Sequence, residues 1–341
     1  MSVSFDFDRV KAEENSSKET IAFLDETSQM TKNELFDISA DVTFGVAFKM
    51  FTRLSLLVTR RRPELAVHCI LLHVMPYIGN HKVSEINRLL INRTINPLVA
   101  EGKIVQSRRI FAVLKKFLSW CSFQGIIETS PLADMSVSNV AGGAKPSSRH
   151  RILSDDEIFT FWHMWDGGKI SEVTKWAARL VLCSARRPDE VLKARRAEFD
   201  LQNEIWNQGS RNKSNREHSM PISSVMRECI ESLIAAGGDS EWLVPSPKNS
   251  QKPASKVLIS QSLRRMLNTP AFKDIEHFEV RDLRRTARST FSRLGVPQEV
   301  SRKIMNHSLE GIDNVYDRHD YLERMRKVLE SYSDFIIAAV K

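Results

Sequence analysis

Between Phe278 and Tyr316 the chain carries, in order, the basic run Arg281-Asp282-Leu283-Arg284-Arg285-Thr286, the pair Asn306-His307, and Tyr316 nine residues later. These residue types fit attack on a phosphodiester. Such a diester repels nucleophiles because its oxygens hold negative charge, which spreads further in the pentavalent transition state. A planar guanidinium answers that charge with paired hydrogen bonds and stays protonated at any working pH. A tyrosine hydroxyl can then attack the phosphorus and store the broken bond as a phosphotyrosine. This chemistry calls for no metal and no nucleotide cofactor.

Partners for these groups lie upstream. Ala185-Arg186-Arg187-Pro188-Asp189-Glu190-Val191 places an arginine three residues before a glutamate, behind the apolar run from Ala177 to Cys183. Trp206 to Ser223 reads as two short strands around the polar turn Arg211-Asn212-Lys213-Ser214-Asn215-Arg216, where a lysine can reach a bound backbone. Each feature alone has a bland reading. An arginine near a glutamate is commonly a helix surface pair, a turn lysine is solvated, a histidine after an apolar run sits in a core, and Tyr321 and Tyr332 share the region with Tyr316. Their occurrence together, in one order, favours a single active site over several accidents.

In that order the segments resemble the tyrosine recombinase family, also called phage integrases, whose pattern is G-x-R-x-x-E, a hairpin lysine, H-x-x-R, a histidine or tryptophan, and tyrosine. The resemblance implies a mainly α catalytic domain with a small antiparallel β-sheet (α+β), preceded by a helical core-binding domain. It also implies a catalytic set of Arg187, Lys213, Arg281, Arg284, His307 and the nucleophile Tyr316. In these roles Tyr316 forms a 3′-phosphotyrosine, the arginines hold the phosphate oxygens, His307 supports the same charge and Lys213 protonates the leaving 5′ oxygen. The family's partners are double-stranded DNA, a homotetramer on two sites exchanging strands through a four-way junction, and accessory directionality or DNA-bending proteins. Two positions depart from the pattern. Arg281 stands where histidine is usual, and because arginine is not deprotonated in proteins it cannot serve as a base. Ala185 stands where glycine is usual, a change that is costly only if the position needs positive φ. Two other readings share much of the sequence: a type IB topoisomerase-like enzyme that rejoins the same strand, and a DNA-binding protein that kept the fold without catalysis.

At 341 residues with a formal net charge of +8, the chain is long enough for two domains and basic enough for a nucleic-acid partner. Lys+Arg against Asp+Glu is 4 to 9 over residues 1–40, 15 to 6 over 41–150 and 31 to 27 over 151–341. The basic excess therefore sits in the middle segment. We read residues 1–40 as an acidic tail or protein-contact element, 41–140 as the helical DNA-binding domain, 141–150 as a linker and 151–341 as the catalytic domain. Arg60, Arg61, Arg62, Arg108, Arg109, Lys115 and Lys116 are the expected phosphate contacts of the middle segment. Four scattered cysteines without a C-x-x-C pair argue against a disulfide framework or a thiolate zinc site, and no apolar run approaches a membrane span, so a cytoplasmic protein is expected.

Local patterns predict how these groups are positioned. Ser107 to Cys121 has Ile110, Val113, Leu114, Phe117, Leu118 and Cys121 on one helical face, with Gly125 as its stop. Asn96-Pro97 reads as a helix start and Ser84 as the cap of an earlier helix. Ser154-Asp155-Asp156-Glu157 forms a capping box that opens the catalytic domain, with Leu153 and Ile158 as a hydrophobic staple. After Tyr321 an apolar stripe recurs at helical spacing: Leu322, Met325, Val328, Leu329, Tyr332, Phe335, Ile336 and Ala339. The stripe must be buried, either in the core of its own domain or, as the resemblance favours, on a neighbouring protomer.

Overall fold

The apolar face predicted for 107–121 is the spine of a helical bundle. In a computed structural model, which describes residues 7–36, 41–60, 62–144, 150–167, 170–210, 217–272, 274–307 and 318–341, the chain divides into units 1–148 and 149–341. The first contains α1 (Phe7–Gln29), α2 (Lys32–Phe36), α3 (Phe44–Phe51), α4 (Leu57–Thr59), α5 (Glu64–His73), α6 (Met75–Ile78), α7 (Arg88–Ala100) and α8 (Ile104–Phe123). All six predicted apolar residues of α8 are buried, and Phe117 meets Phe44, Phe48 and Phe51 edge-on at 4.9, 5.6 and 5.5 Å between ring centroids. Gly125, at φ +74°, ends the helix as its sequence position predicts.

Three expectations for this unit are corrected. Helix α7 begins before Asn96-Pro97: Asn87 caps it by accepting from the Leu90 N–H at 3.0 Å, and Pro97 lies in its last turn. A proline there removes only one hydrogen bond near a frayed end, so its helix-start signal misleads. Ser84 falls inside a 3₁₀ turn, Val83–Glu85, and is no cap. The acidic N-terminal segment is not wholly a tail, because α1 sends Phe23 into the bundle core and its Thr20 hydroxyl lies 3.2 Å from the His68 ring of α5.

The second unit opens with the predicted capping box. Glu157 N–H donates to Ser154 Oγ at 3.2 Å, and Ser154 N–H donates to Glu157 Oε2 at 2.8 Å. There follow α9 (Asp155–His163), α10 (Glu172–Ser184), α11 (Pro188–Leu192), β1 (Phe199–Asp200), β2 (Ile205–Asn207), β3 (Ser219–Pro221), α12 (Ser224–Ala236), β4 (Pro245–Ser246), β5 (Asn249–Pro253), α13 (Leu258–Leu267), α14 (Val280–Arg293), α15 (Gln298–Ile304) and α16 (Arg318–Ala339). Strands β1, β2 and β3 form an antiparallel sheet in that order, with Trp206 opposite Met220, so the predicted hairpin is present. At the centre runs α10, with Ala177 to Ser184 all buried.

Within the single chain α16 packs on its own domain, the other of the two burials open to its apolar stripe. Met325, Leu329, Tyr332 and Ile336 enter the domain core, and the Tyr332 hydroxyl donates to the Leu182 carbonyl of α10 at 3.1 Å. Ser333 donates to Ser223 at 2.6 Å and Arg326 pairs with Glu204 at 2.8 Å. The stripe required burial, and the nearest apolar surface supplied it.

Candidate active site

The arginine box is shaped by the turn that ends α10. Ala185 adopts a left-handed conformation, φ +52° and ψ +18°, so the glycine position of the family pattern does require positive φ. An alanine there is strained by roughly 1–2 kcal/mol, and the turn repays it by directing the Ala185 carbonyl toward α14, where Arg284 Nη1 donates to it at 2.8 Å. After the turn, Arg187 is extended and Pro188 starts α11, fitting proline's fixed φ at a first helical position. Glu190 then reaches back: its Oε2 accepts from the Arg187 N–H at 3.2 Å and its Oε1 from Arg187 Nη1 at 2.8 Å. Burial pushes the Glu190 carboxyl up, but Arg186 and Arg187 outweigh it and hold the carboxyl below its usual range. Glu190 thereby aims a guanidinium that remains 29% exposed.

Arg284 comes from the buried face of α14. Besides Ala185, it donates to the Met305 carbonyl and lies 3.1 Å from His307 Nε2. A guanidinium can only donate, so Nε2 accepts and the ring proton sits on Nδ1. Asn306, at φ +48°, makes the turn that leads from α15 to this histidine; asparagine tolerates that conformation better than most residues. Burial and the charges of Arg284, Arg187, Arg288 and Arg302 hold the His307 pKa down to about 4, so the imidazole is neutral near pH 7. Burial first, then the neighbouring Arg187, also lowers the pKa of Arg284. Glu190 is the carboxylate beside these like charges among the described residues, and the surplus favours an anion.

Arg187, Arg284 and His307 are therefore brought together. Arg281 is not in this contact set: it is exposed in the first turn of α14, one turn before Arg284. Lys213 and Tyr316 lie outside the described residues. The sequence reading missed Arg288 and Arg302, which with His307 line a cavity of about 190 Å³. Arg288 had a signal, its spacing of four residues beyond Arg284 on one helix face; Arg302 had none.

In the first unit the basic positions behave differently from one another. Arg62, Arg109 and Lys116 are exposed, and Lys116 donates to Thr59 beside Arg60 at 3.2 Å. Lys115 donates to the Ala133 carbonyl at 3.3 Å and to that of Met135, and Arg108 donates to the Ser138 carbonyl at 3.5 Å, so both secure the segment after α8. Arg61 lies outside the described residues. Among the described residues no helix is long and apolar enough to cross a membrane.

The sequence profile of the phage integrase family matches residues 151–323, just over half of the chain, and the chain belongs to that family. It is 24% identical over 269 residues to prophage integrase IntA of Escherichia coli K12, covering 78% of this chain and 63% of that protein. It is 20% identical over 284 residues to the integrase of Enterobacteria phage P4, covering 78% of this chain and 62% of that one. The chain thus spans under two thirds of the length of these relatives. Among solved structures, a lambda integrase tetramer bound to a Holliday junction matches with a TM-score of 0.65 at 13% identity, over 85% of this chain and 84% of that one. The Tn1549 transposon integrase in complex with circular intermediate DNA matches at 0.61 and 13% identity, over 82% and 93%. At such identities these two matches establish the shared fold.

Proposed function

We propose that the chain is a site-specific DNA recombinase that cleaves and rejoins strands through a 3′-phosphotyrosine. The observation that carries this reading is the convergence of Arg187, Arg284 and His307, with excess positive charge, at the junction of α10, α14 and α15. In the proposed step the Tyr316 oxygen forms a bond to phosphorus while the bond to the 5′ oxygen breaks. The tyrosine proton passes to water, because His307 Nε2 is engaged by Arg284 and offers only its Nδ1–H to a phosphate oxygen. Arg187 and Arg284 donate to the phosphate oxygens as their charge grows. Arg281 gives a further contact to the DNA phosphate, and Lys213 supplies the proton to the departing 5′ oxygen.

Residues 41–140 form the second DNA-binding element in this reading, with Arg60, Arg61, Arg62, Arg109 and Lys116 meeting phosphates. Lys115 and Arg108 serve the fold first. Double-stranded DNA in the cytoplasm is the substrate, and four protomers on two sites are the working assembly, as in the lambda integrase tetramer bound to a Holliday junction. The test uses a nicked duplex selected on the protein from a random-sequence pool. Tyr316→Phe should shift this duplex with wild-type affinity, since phosphate contacts dominate binding, and form no covalent band on a denaturing gel. A covalent band persisting in the Phe variant rejects the nucleophile assignment.

A further inference from the structure

Of the two arginines in the box, Arg186 is wholly out of solvent, with 0% of its side chain exposed against 29% for Arg187. A buried guanidinium contributes little net stability, because desolvation offsets its ion pairs; what it can supply is registration of the groups it joins. Its contacts reach three separate segments. Nε pairs with Glu190 Oε2 at 3.1 Å, behind the carboxylate that aims Arg187. Nη2 donates to Gln208 Oε1, and Nη1 donates to the Ile304 carbonyl at 3.4 Å. The guanidinium also lies over the Trp206 ring of β2, 5.4 Å from its centroid.

Each segment leads to the proposed site. Gln208 is the first residue after β2, and its N–H donates to the His218 carbonyl at 2.9 Å, closing the base of the hairpin. Lys213 is five residues from Gln208 and five from His218 in sequence. Ile304 ends α15, immediately before Met305, whose carbonyl takes a hydrogen bond from Arg284, and three residues before His307.

We infer that Arg186 is a positioning residue, one buried guanidinium that fixes the hairpin base and the end of α15 in register with the Arg187–Glu190 pair. It touches no reacting atom. Its replacement should leave the DNA-facing surface in place while loosening the group that protonates the leaving oxygen and the turn that presents His307. Lysine in its place keeps the charge but lacks the fork that reaches three acceptors.

The inference rests on the recombinase reading and is tested with Arg186→Met and Gln208→Met in the full chain. Two nicked duplexes are compared, one ordinary and one with sulfur in place of the bridging 5′ oxygen, whose thiolate departs without a proton. Binding should stay within about twofold of wild type, while cleavage of the ordinary duplex falls on the order of 10²-fold for Arg186→Met, the scale for a misplaced catalytic group, and less for Gln208→Met. The sulfur duplex should recover a large part of that loss in both variants, and Arg186→Lys should recover little on the ordinary one. Equal slowing on both duplexes, in step with a lowered melting temperature, marks a merely structural role and overturns the inference, as does wild-type cleavage by both variants. If Arg186→Met does not fold, Gln208→Met decides. Failure of the wild type to cleave either duplex instead rejects the recombinase reading.

Discussion

Arg281 and Ala185 are the two residues at which the sequence leaves the family pattern, and the structure treats them differently. Ala185 occupies the left-handed turn that glycine would occupy, and its carbonyl anchors Arg284, so the turn is kept at some strain. Arg281 stands exposed outside the Arg187–Arg284–His307 contacts. We therefore expect Arg281→His to cleave within about tenfold of wild type, whereas Arg187→Ala and Arg284→Ala each lose on the order of 10² or more, the scale for removing a transition-state donor. Single-turnover cleavage of one nicked duplex compares all three, and equal losses would place Arg281 inside the transition-state set. Arg187, Arg284 and His307 were legible because phosphate chemistry restricts residue types and order. The tautomer and neutrality of His307 were not, because they depend on Arg284, Arg288 and Arg302 converging from two helices.

Among the elements, α8, the β2–β3 hairpin and the capping box of α9 were readable from periodicity, alternation and cap spacing. The start of α7 was not, because proline marks a first turn and tolerates a last one equally well on the page. For α16 the stripe was legible but its partner was not: an amphipathic pattern states that a face is buried and leaves the covering surface open. The structure covers it with α10 and its neighbours, through Tyr332 and Ile336. A truncation before Ser331 removes both, and loss of each large buried side chain costs about 2–5 kcal/mol, a large share of a domain's marginal stability. The truncated chain should lose the cooperative melt of its catalytic domain, and Tyr332→Ala should lower that melting temperature. A truncated chain that melts cooperatively at the wild-type temperature and binds DNA as a monomer would contradict packing of α16 on its own domain.

At the scale of the whole molecule, composition indicated two domains and a basic middle segment, and the chain divides at residue 148, where the glycine- and serine-rich run ends. Composition could not show that the second domain buries Arg179, Arg186, Glu190, Asp282 and Arg284, or that it holds two histidines neutral. His218 and His307 are both held below the ordinary histidine value, to about 3 and about 4, chiefly by burial and then by neighbouring cations. Above the unfolded value of 6.5 neither folded nor unfolded chain carries these protons, and stability is level. As pH falls from 6.5 toward 4 the unfolded chain binds protons that the folded chain refuses, so stability declines. The melting temperature should hold from about pH 8 to 7 and drop between about pH 6 and 5, a drop that His218→Gln reduces; a flat profile would count against buried neutral histidines. We propose that this arginine-rich site directs a tyrosine onto DNA phosphorus. The most direct test is to trap the wild-type protein on the selected nicked duplex, digest the denatured adduct and map it by mass spectrometry. Tyr316 should be found joined to a DNA 3′-phosphate, with a free 5′-hydroxyl on the released strand; no adduct, an adduct at Tyr321, or a link to a 5′-phosphate would rule this chemistry out.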